Sequence, residues 1–355
     1  MATINGITLT NPTDPVFVFN PCPMSLKDAN GNMTNITLSY TVGGTTFTFG
    51  YDMPGEGIID IREYLQAFFT AMKMGDDIDY TLANAASELS KNVAMTVKAL
   101  AADGSTIATF NITMLCIWGA VRPNESAITE KTVTRFSGYP FTVGVYAGGA
   151  ATGVISVVDP LDANNAVTNN VSGIGLYNTR VNLTPTGDTL EVYYEFVRMG
   201  TPVKTKMYTV KHVDGNCYRD GIYLRWVNRF GQWCYWLFKK GSDSRTAASE
   251  GLFNRNDLNL YDKTYQWHGN SGRRQNLTRN DVLPVCAPLV DRDTFDFLQD
   301  VTTSPCVDMY IGNGLNVHKW APVTIEAGTY TMERNKQYQD FIMNIVLQEV
   351  EIQQL

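Results

Sequence analysis

Apolar and polar residues alternate with a period of two over much of this chain. That spacing predicts strands with one face in a core and one in water. In TLEVYYEFVR, Leu190, Val192, Tyr194 and Phe196 fall on one side and Glu191, Tyr193 and Glu195 on the other. NITLSYTVGGTTFTFGY alternates on both flanks of Gly43-Gly44, a pair suited to a two-residue hairpin turn because glycine reaches positive φ without strain. VAMTVKALAADGSTIATFNITML repeats the arrangement around Asp103-Gly104. Helical spacing stands out once, in DIREYLQAFFTAMKM. It predicts a helix over 60–74 capped by Asp60, with Glu63 in the capping-box position and Ile61, Tyr64, Leu65, Phe68 and Met72 on its apolar stripe. A shorter helix is predicted over 291–299, with Phe295 and Leu298 turned inward. Strand signals outnumber helix signals, so the expected class is mainly β, as two or three sandwich-like domains. Turn-rich breaks at GAVRPNES and near Gly200 suggest pieces 1–120, 121–210 and 211–355, of which the last two can share a sheet.

The segment GIYLRWVNRFGQWCYWLF concentrates three tryptophans, two tyrosines and two phenylalanines. It reads as two strands around Gly231. Tyr223, Arg225 and Val227 share one face of the first strand, and Ile222, Leu224 and Trp226 the other. On the return, Trp233, Tyr235 and Leu237 oppose Cys234, Trp236 and Phe238. A platform for sugars or bases needs aromatics on one exposed face beside polar groups. A hairpin apolar on both faces predicts a central pair covered twice, so Trp226, Trp233, Trp236 and Phe238 are expected in the core, as are Tyr64 and Phe68 of the first helix. Arg225 is the exception, expected over a ring or against an acid. The last segment, QDFIMNIVLQEVEIQQL, is apolar on both sides in its middle and predicts a strand central to a sheet.

Residues 240–281 show no regular period, which is unusual inside a compact domain. Phe253, Leu258, Tyr261, Tyr265 and Trp267 make the stretch too apolar for plain disorder, so it is expected as an extended arm or β-excursion that orders against something. Charge sharpens this picture. The chain carries a net −7, yet residues 201–280 hold 14 Lys and Arg against 6 Asp and Glu. The remainder is net −15. Within SGRRQNLTRND, Arg273, Arg274 and Arg279 can form an anion site, a solvated loop, or a contact with the acidic surface of another copy. Phe253, Tyr265, Trp267 and these three arginines are the candidate partner-contact residues.

The chain offers little for catalysis. His212, His268 and His318 lack metal-ligand spacing, and no nucleophile elbow, phosphate loop or dinucleotide fingerprint occurs. The acidic clusters Asp76, Asp77, Asp79 and Asp291, Asp293, Asp296 lack the form of a calcium loop. The six cysteines show no CxxC pair and are expected as mostly buried free thiols. The opening residues MATINGITLTNPTDP predict no signal peptide, and no apolar run is long enough to span a membrane. No catalytic residue, metal or cofactor is expected, nor specific nucleic-acid binding, given the acidic balance.

Several segments in order carry a resemblance: PVFVFNPCPMSL, IIDIREYLQAFF, TRFSGYPFTVGVY, GIYLRWVNRFGQWCYWLF and ERNKQYQDFIMNIVLQEVEIQQL. Together they resemble β-rich virion proteins of tailed bacteriophages and prophages, especially tail-tip or baseplate components. The resemblance implies a non-enzymatic structural protein of a symmetric assembly, made in the bacterial cytoplasm and built into particles. Its implied partners are other copies of itself, other virion proteins and, in a receptor-binding variant of the reading, a host-surface glycan. That variant expects Tyr265, Trp267 and Trp320 around an exposed cleft. An enzyme acting on polysaccharide would instead need two facing carboxylates.

Overall fold

A computed structural model describes residues 1–69, 78, 80, 84–86, 88–122, 125, 129–148, 152–218, 220–242, 244–253, 273–312, 320–333 and 335–347, with backbone alone for 84, 244–253 and 273–280. The protein is mainly β. Its first part contains β1 (Ala2–Ile4), β2 (Ile7–Thr10), β3 (Val16–Phe17), β4 (Pro23–Asp28), β5 (Asn35–Val42), β6 (Thr45–Asp52), β7 (Glu56–Asp60), α1 (Arg62–Gln66), β8 (Asn84–Ala85), β9 (Ser90–Leu100) and β10 (Thr106–Ile117). A four-stranded sheet β1-β2-β4-β7 and a five-stranded sheet β3-β10-β9-β5-β6 enclose one core, which includes Leu9, Leu26, Ile36, Leu38, Val97 and Phe110. The β5–β6 turn is Gly43-Gly44, at φ +57° and +83°, as the alternation predicts.

The first helix is shorter than the stripe suggests. Asp60 does not cap it: this residue ends β7, and its carboxylate accepts from the backbone N–H groups of Cys22 and Arg62. Ile61 holds the N-cap position without a side-chain bond. After Gln66 the N–H groups of Phe68 and Phe69 bond the carbonyls three residues back, a tightened turn that ends the helix. The apolar stripe is nevertheless real. Ile61, Leu65 and Phe69 are buried in the first core, with Tyr64 and Phe68 packed against it. Residues 70–74 lie outside the described residues.

The middle of the chain supplies β11 (Lys131–Phe136), β12 (Thr142–Ala147), β13 (Thr152–Asp159), β14 (Asp162–Ser172), β15 (Gly175–Arg180), β16 (Thr189–Arg198) and β17 (Thr201–Val213). They form a five-stranded sheet β11-β17-β16-β13-β14 and a three-stranded sheet β12-β15-β8. Met199 and Gly200, both at positive φ, turn β16 directly into β17, so the Gly200 region is a hairpin inside one sheet, not a break. The last part adds β18 (Ile222–Val227), β19 (Trp233–Lys240), β20 (Ser244–Phe253), β21 (Arg273–Val290), α2 (Arg292–Thr303), β22 (Val307–Tyr310), β23 (Trp320–Pro322), β24 (Thr324–Ile325) and β25 (Gln339–Val346). These strands make one eight-stranded sheet, ordered β23-β22-β18-β19-β21-β25-β24, with β20 paired to β21 off that path.

Two further cores lie on either side of this sheet. The middle core takes Val143, Val145, Ile155, Val192 and Val210 together with Tyr223, Tyr235 and Leu237, so residues before and after 210 share one interior. It also takes Ile78, Tyr80, Ala86 and Leu89 from the first 120 residues. The third core places α2 against the other side, through Phe295, Leu298 and Val301. Asp291 caps α2, its carboxylate accepting from Thr294 N–H at 2.9 Å, and the helix runs on to Thr303. The terminal strand lies inside its sheet as expected, between β21 and β24, but only one of its faces is covered. Phe341, Met343 and Ile345 are buried, but Ile342 is 60% exposed, so β25 has one covered face and one open one. Residues 348–355 lie outside the described residues.

Candidate functional site

The aromatic hairpin divides its side chains between the two cores of the C-terminal sheet. Tyr223, Val227, Trp233, Tyr235 and Leu237 enter the middle core; Leu224, Trp226, Cys234 and Phe238 enter the core under α2, and Trp236 packs against both. Opposite residues in the ladder share a face, and the register Tyr223↔Leu237, Arg225↔Tyr235, Val227↔Trp233 keeps the two sets apart. The concentration of rings therefore serves packing on two sides.

Arg225 is buried among these rings. Its Nε and Nη2 each donate to Asp308 Oδ2 at 2.8 Å, and Nη1 donates to the Tyr80 hydroxyl at 3.0 Å. Asp308 lies directly opposite on β22. The guanidinium carbon sits 4.6 Å from the Trp233 ring and 4.5 Å from the Trp320 ring, a cation held between two π faces. Trp320 is thus partly buried against Arg225 and Tyr310, not set at an open cleft. Tyr265 and Trp267 lie outside the described residues.

At the seam between β11, the β18–β19 turn and α2 lies a cavity of about 490 Å³, lined in part by Lys131, Arg229, Phe230, Gln232, Cys234 and Asp300. The turn is shaped by Asn228, whose side chain accepts from the N–H groups of Phe230 and Gln232. The N-terminal unit passes close by. Ala120 N–H bonds the Arg229 carbonyl, and a Cβ on Gly119 would sit 2.4 Å from that oxygen, so glycine is needed there. Lys131 donates to Gln232 Oε1 at 2.8 Å and lies 3.9 Å above the Phe230 ring. Gln232 in turn donates to the Gly144 carbonyl, and Arg229 pairs with Glu125 at 2.5 Å.

Burial pulls the Lys131 ammonium down to about 8 and pushes the Cys234 thiol up to about 12. Burial also raises the Asp300 carboxyl, against the pull of Arg229, Arg122 and Lys131. A thiol so protonated is a poor nucleophile. Lys131 points its charge at an amide oxygen and a ring, an arrangement that holds the ammonium in place. Because folding lowers this ammonium's affinity for protons, it is a cost to the fold below pH 8. That cost is relieved as pH rises from about 8 toward the ordinary 10.5. Lys131→Met is expected to be about 1–2 kcal/mol more stable at pH 7, with the lost Gln232 bond set against the gain. The advantage over wild type narrows by pH 9.5, as paired urea titrations at the two pH values will show.

The arm expected over 240–281 contains a strand pair. β20 and β21 run antiparallel from Ser244↔Val282 to Phe253↔Arg273. Arg274 stands opposite Leu252 and Arg279 opposite Ala247 in the register, so Phe253, Arg273, Arg274 and Arg279 all belong to this pair. From Val282 onward β21 joins the sheet, pairing with β25 and, at Val285 and Cys286, with β19. The Asp281 carbonyl still accepts from Leu347 N–H, and residues 273–280 pair with β20 alone among the described residues. The result is a two-stranded ribbon about 30 Å long, at roughly 3.3 Å per residue.

One of the two acidic clusters has a structural place in the described residues. Asp291 caps α2 and Asp293 occupies its first turn, where the helix dipole favours a carboxylate; Asp76, Asp77 and Asp79 fall outside the described residues. Among the described residues no group of three or more His, Cys, Asp or Glu side chains is gathered as metal ligands would be. No helix of the described residues is long and apolar enough to cross a membrane. None of the six cysteines, all of them among the described residues, is in a disulfide: Cys22, Cys116 and Cys234 are buried, Cys286 and Cys306 partly covered, and Cys217 exposed. The sequence reading did not find Lys131, Arg229 and Asp300, because a strand start, a turn and a helix end meet only in the fold. Neither protein-family models nor curated proteins yield a match to this chain.

Proposed function

We propose that the protein is a non-enzymatic structural component of a tailed-bacteriophage particle, of the tail or baseplate, that assembles with other copies of itself and with other virion proteins. The observation that carries this reading is the β20–β21 ribbon. A two-stranded ribbon alone in water is marginally stable and gains from a partner surface. The ribbon lies in the basic part of an otherwise acidic chain, so the ribbon of one copy and the acidic body of another attract and orient each other. The resemblance of the ordered β-rich segments to tail-tip and baseplate proteins supports placing that assembly in a virion, built in the bacterial cytoplasm.

The test is the solution mass by light scattering, for the full chain and for a variant in which residues 244–281 are replaced by a short Gly-Ser linker. A defined oligomer that becomes a monomer with an unchanged cooperative thermal transition is the expected result. A full chain that stays a folded monomer at every concentration removes self-assembly. The remaining choice would then be a receptor- or glycan-binding module of the tail.

A further inference from the structure

The five-stranded sheet ends on β14, which pairs with β13 and with no second strand among the described residues. Open edges are usually blocked by lysine, proline, bulges or a short strand. β14 is eleven residues long, DANNAVTNNVS, without Lys, Arg or Pro. Its pairing with β13 is regular from Thr152↔Ser172 to Val158↔Ala166; the register then shifts, Asp159 standing opposite Asp162, so the irregularity is confined to the β13–β14 turn end and the stretch Ala166–Ser172 is a straight edge. The opposite edge of the same sheet, β11, carries Lys131 and Arg135.

The β14 sequence is nearly symmetric about Val167. Ala166 and Thr168 flank it; next come Asn165 and Asn169, then Asn164 and Asn170, then Ala163 and Val171. Two such strands laid antiparallel about a twofold axis at Val167 therefore set Asn164 opposite Asn170, Asn165 opposite Asn169, and Val167 opposite itself. Asparagine can both donate and accept, so like pairs with like. The one charged residue, Asp162, falls opposite Ser172, so no like charges meet. A one-residue slip would set core-facing residues opposite outward ones, and a two-residue slip, the smallest that keeps the faces, breaks every asparagine pair.

The faces agree as well. Asn165, Val167 and Asn169 are half-buried and Val171 is buried in the middle core, whereas Asn164, Ala166, Thr168 and Asn170 are exposed. A twofold axis normal to the sheet keeps the core-facing rows of both copies on one side. The Asn165 side chain, which donates to Asp159 Oδ2 and the Thr184 carbonyl, is already fixed on that side.

We infer that β14 is an interface with a second copy of this chain, the two edges pairing antiparallel about Val167 to join their sheets into one. This rests on the self-association proposed above but uses a surface distinct from the ribbon.

The experiment is site-directed cross-linking of the full chain with Val167→Cys and, separately, Ala163→Cys, under mild oxidation with wild type as background. In the paired edges two Val167 Cα atoms lie about 4.5–5.5 Å apart, within disulfide reach. Two Ala163 Cα atoms lie about 26 Å apart. The expected result is a reducible dimer for Val167→Cys and background for Ala163→Cys. As a second measure, Val167→Lys sets two ammonium groups face to face, and it should lower the solution mass without changing the circular dichroism. Equal cross-linking at both positions, or none at Val167 in a protein shown to self-associate, overturns the β14 interface and leaves ribbon-mediated assembly standing. A full chain that is monomeric and uncross-linked overturns both.

Discussion

Asp308→Ala is expected to destabilise the protein by about 3–5 kcal/mol, because it strands the Arg225 guanidinium in a buried site. Arg225 is 4% exposed and Asp308 8%. Without the carboxylate, the cation keeps the Tyr80 hydroxyl and the Trp233 and Trp320 rings, none of which neutralises it. The loss will appear as a lower urea midpoint with an unchanged slope. The double variant Arg225→Met with Asp308→Leu separates the cost of a stranded charge from the worth of the pair. It should recover most of the loss, since apolar side chains of similar size suit an interior made of Tyr223, Tyr235 and Trp233. A double variant no better than Asp308→Ala would mean that the pair supplies net stability, not only geometry.

Trp226→Ala should cost a similar amount, about 3–5 kcal/mol, by a different route. The indole is fully buried on the opposite face of the same strand, 5.2 Å from the Phe297 ring of α2. Truncation removes the wall against which α2 rests and leaves a cavity that Leu224, Phe238 and Leu298 can fill only in part. Amide exchange in α2 should rise more than in β13 and β16, which belong to the other side. Equal acceleration throughout would show that the two interiors open together.

Much of this fold was legible because its turns demand particular residues. Gly43-Gly44 allows almost nothing but a tight hairpin, and Asp291 marks the start of α2. The two-sided aromatic hairpin was legible from parity alone, which placed Tyr223 and Trp226 on opposite faces and so in separate cores. Parity misled at β25, where Ile342 is apolar yet open, because hydrophobicity says that a residue can be covered and not that something covers it. The first helix was overread for a related reason. Its stripe continues through Phe68 and Phe69, but those rings reach the core from a tightened turn. SRTAASEGLF has no period to announce a strand, and its pairing with β21 is a property of two segments together. The Lys131 cavity was illegible because its walls come from three distant segments, each unremarkable alone.

The hairpin of β18 and β19 has a further consequence for how the molecule can come apart. One strand pair forms a partition between two interiors, and each ring on it is anchored from one side while its backbone is held in common. The middle strands and α2 are therefore not separable modules that happen to touch. Melting either side frees the partition and exposes the neighbour, so the two are expected to share one transition. The N-terminal sandwich draws its buried interior from residues 7–116 and meets the middle core through Trp118, which packs against both. It is therefore expected to lose its structure in a step of its own, with Trp118 reporting on each side.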